Sequence, residues 1–181
     1  MTMTETGELV FDTGPLSGFA EAGWLGVLRS VAGDRRVVIP DAVEKELRQG
    51  SHSRPYLESV LSAAWIDMVV LDTDQEKEGY SHFSSLLVKG HHNRGEAAVL
   101  AYAKVHGATA VVDDLVGRKA ARRAQVDVRG SLGLLIDAVN AGLLTLEMVS
   151  DVADHLLERN YRLPFESGGF ISWVRRNDLV K

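Results

Sequence analysis

Residues 9–19, "LVFDTGPLSGF", run apolar through Phe11, meet a carboxylate at Asp12 and turn at once through Gly14 and Pro15. An apolar run of strand length that stops on an acid and a Gly-Pro turn reads as a buried strand feeding directly into a helix. Asp disfavours strands and costs several kcal/mol when buried without a partner. Asp12 must therefore cap the helix, pair with a cation or hold a metal.

Outward from this stretch the same pattern recurs. "TAVVDD" (109–114) also runs apolar and ends on acids, Asp113 and Asp114, before the helical stretch "LVGRKAARRAQ" (115–125). "RVVIP" (36–40), "AWIDMVVL" (64–71) and "VDVRG" (126–130) are further strands. Between them, Leu16, Phe19, Ala20, Trp24, Leu25 and Leu28 recur at spacings of three and four, which predicts one amphipathic helix ending near Gly33. Helices are also predicted over 41–50, over the polar stretch 72–89, over the Ala-rich 93–107, and as a pair over 131–142 and 144–160. Strands alternating with helices predict an α/β domain with a central, mainly parallel sheet. In such a sheet Asp12 and the Asp113–Asp114 pair emerge at the carboxyl edge, where ligands bind.

Composition narrows the function classes. With 181 residues and 45% hydrophobic content the chain can bury one sizeable core. The absence of cysteine excludes disulfide frameworks and thiolate zinc sites. "MTMTETGE" (1–8) is polar and acidic, and no apolar run reaches roughly 18 residues, so the expectation is a soluble, cytoplasmic protein without a membrane span. A net charge of -5 argues at first against a nucleic-acid partner. Its distribution reverses that reading, because residues 115–130 carry Arg118, Lys119, Arg122, Arg123 and Arg129 against Asp127 alone.

Each acid has an ordinary alternative. Asp12 can cap the helix after it, Asn93 and Glu96 have capping-box spacing, and so do Asp41 and Glu44, which leaves Glu46 free to face elsewhere. One of Asp113 and Asp114 can cap the next helix, but one cap needs one acid. Clustered, these carboxylates would repel by ~4 kcal/mol per pair at about 4 Å and an effective dielectric near 20. Hard divalent cations remove that cost, and a donor set of carboxylates without Cys or paired His suits Mg²⁺ or Mn²⁺.

"LVFDTGPL", "VVIPDAVEKEL", "GEAAVLAYAK" and "TAVVDDLVGRKAARRAQVDVRGSLGLL", in that order and spacing, resemble the motifs of PIN-domain proteins. The similarity is closest to a bacterial branch that reads D-[ST]-G-P-L, I-P-x-x-V-x-x-E-L, G-E-A, then D-D before a basic helix and G-[ST]-L-G. It spans roughly residues 8–145. The resemblance implies a single-domain three-layer α/β/α sandwich, with a PIN-like nuclease domain over 1–145 and a helical extension over 146–181 packed on it. It implies a metal-dependent ribonuclease, the toxin of a toxin-antitoxin pair, with RNA as substrate and a cognate antitoxin as partner, and it leaves a homodimer open. Carried over by position, it puts Asp12, Glu46, Glu96 and Asp114 in the catalytic, metal-holding set, with Asp113 beside them as a further metal ligand and the Thr13 hydroxyl near the metal. Glu96 stands where most of the wider family has Asp, and the double Asp leaves open which one ligates.

That chemistry needs no side-chain nucleophile, consistent with the lack of a Ser-His-Asp set or G-x-S-x-G elbow. Arg118, Lys119, Arg122 and Arg123 form two i, i+4 pairs beside Asp114, placed to guide an RNA backbone or simply to form a solvated face. His91 and His92 precede the Glu96 helix and read as loop residues with RNA contact as the alternative. Trp24 and Leu28 read as core, and Phe170 and Trp173, beside Arg175 and Arg176, read as packing on the domain or as a partner contact. Two competitors remain: a catalytically inactive PIN-like module that binds RNA or protein, and a phosphotransferase of another α/β fold. "FDTGP" lacks the second Asp that a haloacid-dehalogenase-like enzyme needs, and no receiver-type Asp, Thr and Lys set is evident.

Overall fold

The computed structural model describes residues 7–90 and 92–181; the N-terminal residues 1–6 and His91 named above lie outside the described residues. The chain runs β1 (Glu8–Phe11), α1 (Thr13–Glu21), α2 (Leu25–Ala32), β2 (Arg36–Pro40), α3 (Asp41–Ser51), a 3-10 turn (Pro55–Leu57), α4 (Glu58–Leu61) and β3 (Ile66–Val69). It continues through α5 (Asp74–Leu87), α6 (Arg94–His106), β4 (Thr109–Val111), α7 (Leu115–Arg123), β5 (Val128–Arg129), α8 (Ser131–Asn140), α9 (Leu146–Glu158) and α10 (Phe170–Arg176).

All five strands pair in parallel, in the order β3-β2-β1-β4-β5, and helices flank the sheet. The expected α/β class with a central parallel sheet is the observed one. β1 lies in the middle, with Leu9, Val10 and Phe11 buried as a continuous apolar run, as a strand covered on both faces requires. From β1 the chain winds outward through β2 and β3, then returns across the sheet to β4 on the opposite side. The point between β1 and β4 is thus where the winding direction reverses, and a crevice opens there at the carboxyl ends of the strands. Asp12 follows β1 and Asp113 follows β4 by one residue, so the crevice is lined by acids from the start.

The continuous helix expected over 16–28 is two helices. Gly23, at φ +78, ends α1: its N–H donates to Ala20 O and the Trp24 N–H reaches back to Phe19 O, a Schellman closure that only a left-handed residue completes. Trp24, Leu25 and Leu28 resume in nearly the same phase, which hides the break. Leu28 is buried in the core and Trp24 is half-buried against the His155 ring. The Asp41–Glu44 box does not form either. Asp41 is already helical, and both acids pair forward by one turn, Asp41 with Lys45 at 2.6 Å and Glu44 with Arg48 at 2.5 Å.

α6 is buried at every position from Gly95 to Ala103. Its alanines let neighbouring backbones approach, as at Ala101, whose Cβ is 3.4 Å from where a Cβ on Gly79 of α5 would stand. The C-terminal helices share this core through Val149, Val152, Leu156, Phe170 and Val174, and Trp173 packs on Phe165. No described helix is long and apolar enough to cross a membrane.

Candidate active site

Asp12 still belongs to the sheet by its backbone, since its N–H donates to Val111 O at 3.0 Å, and it is the residue before α1. Its side chain makes no capping hydrogen bond. Burial, and then the charges of Glu46 and Asp113, push its carboxyl up to about 7 against the pull of the Thr13 and Gly14 amides. The simple cap reading of Asp12 therefore fails on geometry.

Asp114 is the cap of the pair. Its Oδ1 accepts from the N–H groups of Val116 at 2.8 Å and Gly117 at 3.1 Å, which leaves Oδ2 without a hydrogen-bond partner among the described residues. Asp113 turns the other way, onto the start of α8. It accepts from the Ser131 N–H at 2.8 Å, from the Ser131 hydroxyl and from the Tyr161 hydroxyl. Tyr161 comes from the loop after α9. Its ring meets Phe19 edge-on and lies where a Cβ on Gly18 would stand, 2.0 Å from that point. No pattern in the sequence singles out Tyr161, because the tail offers only apolar spacing and its contact with Asp113 spans 48 positions.

The two helical acids reach the crevice through glycines. Glu46, on α3, accepts from the Gly95 N–H on Oε1 at 2.9 Å and from the Thr13 hydroxyl on Oε2 at 2.6 Å. A Cβ on Gly95 would stand 2.8 Å from Glu46 Oε2, so only glycine admits this approach. Glu46 thus caps α6 from a different helix, and the Asn93–Glu96 box does not form. Asn93 sits at φ +64 and its amide donates to Leu87 O. Glu96 is left free of cap duty and projects onto α7, where a Cβ on Gly117 would stand 1.4 Å from its Oε1. That oxygen is buried and has no hydrogen-bond partner. Burial first, then the charges of Asp12, Asp114 and Glu46, push the Glu96 carboxyl up to about 8.

The structure therefore gathers Asp12, Glu46, Glu96 and Asp114 into one electrostatic neighbourhood, with Asp113 beside Asp12 and Thr13 holding Glu46. Among the described residues no three Asp, Glu or His side chains already converge in ready metal-holding geometry. Glu46 and Asp113 rest both oxygens on amides and hydroxyls instead, and Asp114 rests one. Oxygens of Glu96, Asp114 and Asp12 are left without a hydrogen-bond partner among the described residues, and carboxylate oxygens of this kind are what a hard cation that keeps several waters takes. Of the basic set, Arg118 folds back and donates to the Asp113 carbonyl at 2.9 Å, whereas Lys119, Arg122 and Arg123 lie toward the outer side of α7.

A family model described as PIN domain, DUF3368, matches residues 8–167. The chain belongs to this PIN-domain family. The matched span contains the strand end at Asp12, Glu46, Glu96, the Asp113–Asp114 pair and Ser131 at the head of α8. No protein of curated function matches this PIN domain. Among solved structures, a chain of VapBC2 from Rickettsia felis, bound to a DNA fragment from their promoter, matches at 13% identity. The match has a TM-score of 0.49 and covers 67% of this chain and 97% of that one.

Proposed function

We propose that this PIN domain is a Mg²⁺- or Mn²⁺-dependent ribonuclease that hydrolyses RNA phosphodiester bonds and serves as the toxin of a toxin-antitoxin pair. The observation that carries the nuclease reading is the buried, unpartnered Glu96 oxygen held among the charges of Asp12, Asp114 and Glu46. A structural carboxylate in that place would have found a donor, because a buried polar atom without one is costly. The toxin role and the antitoxin partner rest on the motif resemblance.

In this reading Asp12, Glu96 and Asp114 hold the metal. When bound, Mg²⁺ or Mn²⁺ would supply a water of lowered pKa and positive charge for the phosphate and leaving oxygens. Glu46, fixed by Thr13 and Gly95, is aimed by two donors and so keeps its place without side-chain rearrangement. Asp113 adds negative charge beside Asp12 but has its own oxygens on Ser131 and Tyr161, which favours Asp114 of the two as the direct ligand. Lys119, Arg122 and Arg123 offer cations to the RNA backbone.

Purified protein should cleave single-stranded RNA with Mg²⁺ or Mn²⁺, stop with EDTA, and lose activity in Glu96→Gln. Folded protein that leaves varied RNAs intact in both metals would return the chain to the inactive binding-module reading.

A further inference from the structure

A polar cleft of about 510 Å³ opens beside the carboxylates, lined by Glu46, Gln49, Ser53, Arg54, His92 and Asn93. It lies within the size range of small-ligand pockets and is continuous with the candidate active site through Glu46. Its walls come from the second half of α3, the turn after it and the turn before α6.

Three features mark it as more than surface relief. Arg54 has no ion pair or side-chain hydrogen bond among the described residues, yet its guanidinium is set closely over α3. A Cβ on the buried Gly50 would stand 2.4 Å from Arg54 Nη2, so this placement requires glycine. Gln49 and Asn93 bring carboxamides to the same space, and because the Asn93 amide donates to Leu87 O, its carbonyl oxygen remains as an acceptor. The cleft also lies on a particular side of the site. Glu46 of α3 packs at Gly95, and Glu96 of α6 packs at Gly117 of α7, so the acids stand between α3 and α7. Lys119, Arg122 and Arg123 are on the α7 side, and Arg54 lines the cleft on the α3 side.

We propose that this cleft seats one unpaired nucleotide of the RNA chain next to the scissile phosphate, an inference that rests on the ribonuclease reading above. Arg54 takes the phosphate on that side, while Gln49 and the Asn93 carbonyl hydrogen-bond the edge of the base. Carboxamides read unpaired bases by this means, and a base in a duplex would not offer that edge. A strand threaded in this way is gripped by cations on both sides of the carboxylates, which by themselves repel it.

The test measures binding of a short labelled single-stranded RNA with Mg²⁺ across a salt series. A Glu96→Gln background keeps the RNA intact. Adding Arg54→Ala should reduce the magnitude of the slope of log affinity against log salt by about 0.7, the share of one single-strand phosphate contact, and Arg54→Lys should restore it. Adding Gln49→Ala should leave the slope unchanged and flatten the preference among the four bases at one position beside the cleavage site. If wild type cleaves RNA but both substitutions leave slope and base preference as they were, the cleft is not a nucleotide subsite. Wild type that neither binds nor cleaves RNA overturns the ribonuclease reading, and this subsite with it.

Discussion

Raising the pH of the metal-free protein from 5 to 8 should destabilise it, and Glu96→Gln should remove a large part of that loss. Burial and the neighbouring acids lift the Glu96 carboxyl from its ordinary 4.5 to about 8. An acid with a higher pKa folded than unfolded binds its proton more tightly in the folded state. Its stabilising contribution is therefore complete below 4.5 and is lost as pH rises through about 8. Glu96 is only 3% exposed, so solvent screens little of this, and the window corresponds to about 5 kcal/mol, of which about 3 kcal/mol falls between pH 5 and 8. For a chain of this size that is roughly a 6–12 °C fall in Tm. Asp12, lifted to about 7, loses its proton in the same window, so the wild-type curve reports the acids as a group. The carboxamide of the Glu96→Gln variant keeps the shape and cannot ionise, but it is a buried amide without a partner, at a cost of about 1–3 kcal/mol. The variant should thus be the less stable protein near pH 5 and the more stable one near pH 8, and the two curves should cross. Thermal unfolding in EDTA at stepped pH reads this directly. Repeating it with Mn²⁺ at about 100 times its Kd should add about 2.7 kcal/mol to wild type and little to the variant. Parallel curves, with the variant below wild type throughout and the same gain from Mn²⁺, would refute the clustered-carboxylate reasoning.

Two further substitutions probe the packing that builds the site. Gly117→Ala places a Cβ 1.4 Å from Glu96 Oε1 and should cost about 1–3 kcal/mol in urea unfolding, a cost that largely disappears in a Glu96→Ala background; additive losses would mean the two positions do not compete for space. Tyr161→Phe keeps the ring over Gly18 and against Phe19 but removes the hydroxyl that donates to Asp113. It should cost about 1.5–3 kcal/mol in the same assay, as a hydrogen bond to a charged group does, and should lower RNA cleavage; an unchanged midpoint would show that Ser131 alone holds Asp113.

Much of the sheet is legible in the sequence because its inner strands β1, β2 and β4 are buried on both faces and announce themselves as short apolar runs bounded by acids, Gly or Pro. Asp12, Asp113 and Asp114 can be placed at one edge on that basis alone, since parallel strands all deliver their last residues to the same side. Where local spacing is the whole basis, it misleads. The period from Leu16 to Leu28 passes unbroken over a helix end at Gly23, because the second helix restarts in phase. Capping-box spacing is present at Asn93 and Glu96, but Glu46 reaches across and takes the Gly95 amide. The box that does form, at Thr73 and Glu76, has the same spacing but lies within a stretch whose composition reads only as polar. Tyr161 is invisible for a different reason, since its role depends on a glycine and a carboxylate far away in the chain.

The cap and metal readings of the acids turn out to describe two halves of one device. Asp114 on the Val116 and Gly117 amides, Asp113 on the Ser131 amide and Glu46 on the Gly95 amide each place a carboxylate against the positive end of a helix. Those amides offset part of the repulsion among the acids when no cation is bound, so the fold can hold them close without collapsing the crevice. Glu96 receives no such help. Its Oε1 faces Gly117, buried and unpartnered, and the only local response to its charge is to keep a proton. The network therefore concentrates its unmet electrostatic demand at Glu96 and, to a smaller extent, at Asp12, which is why these two rather than the capped acids should decide both the pH response and the gain from metal.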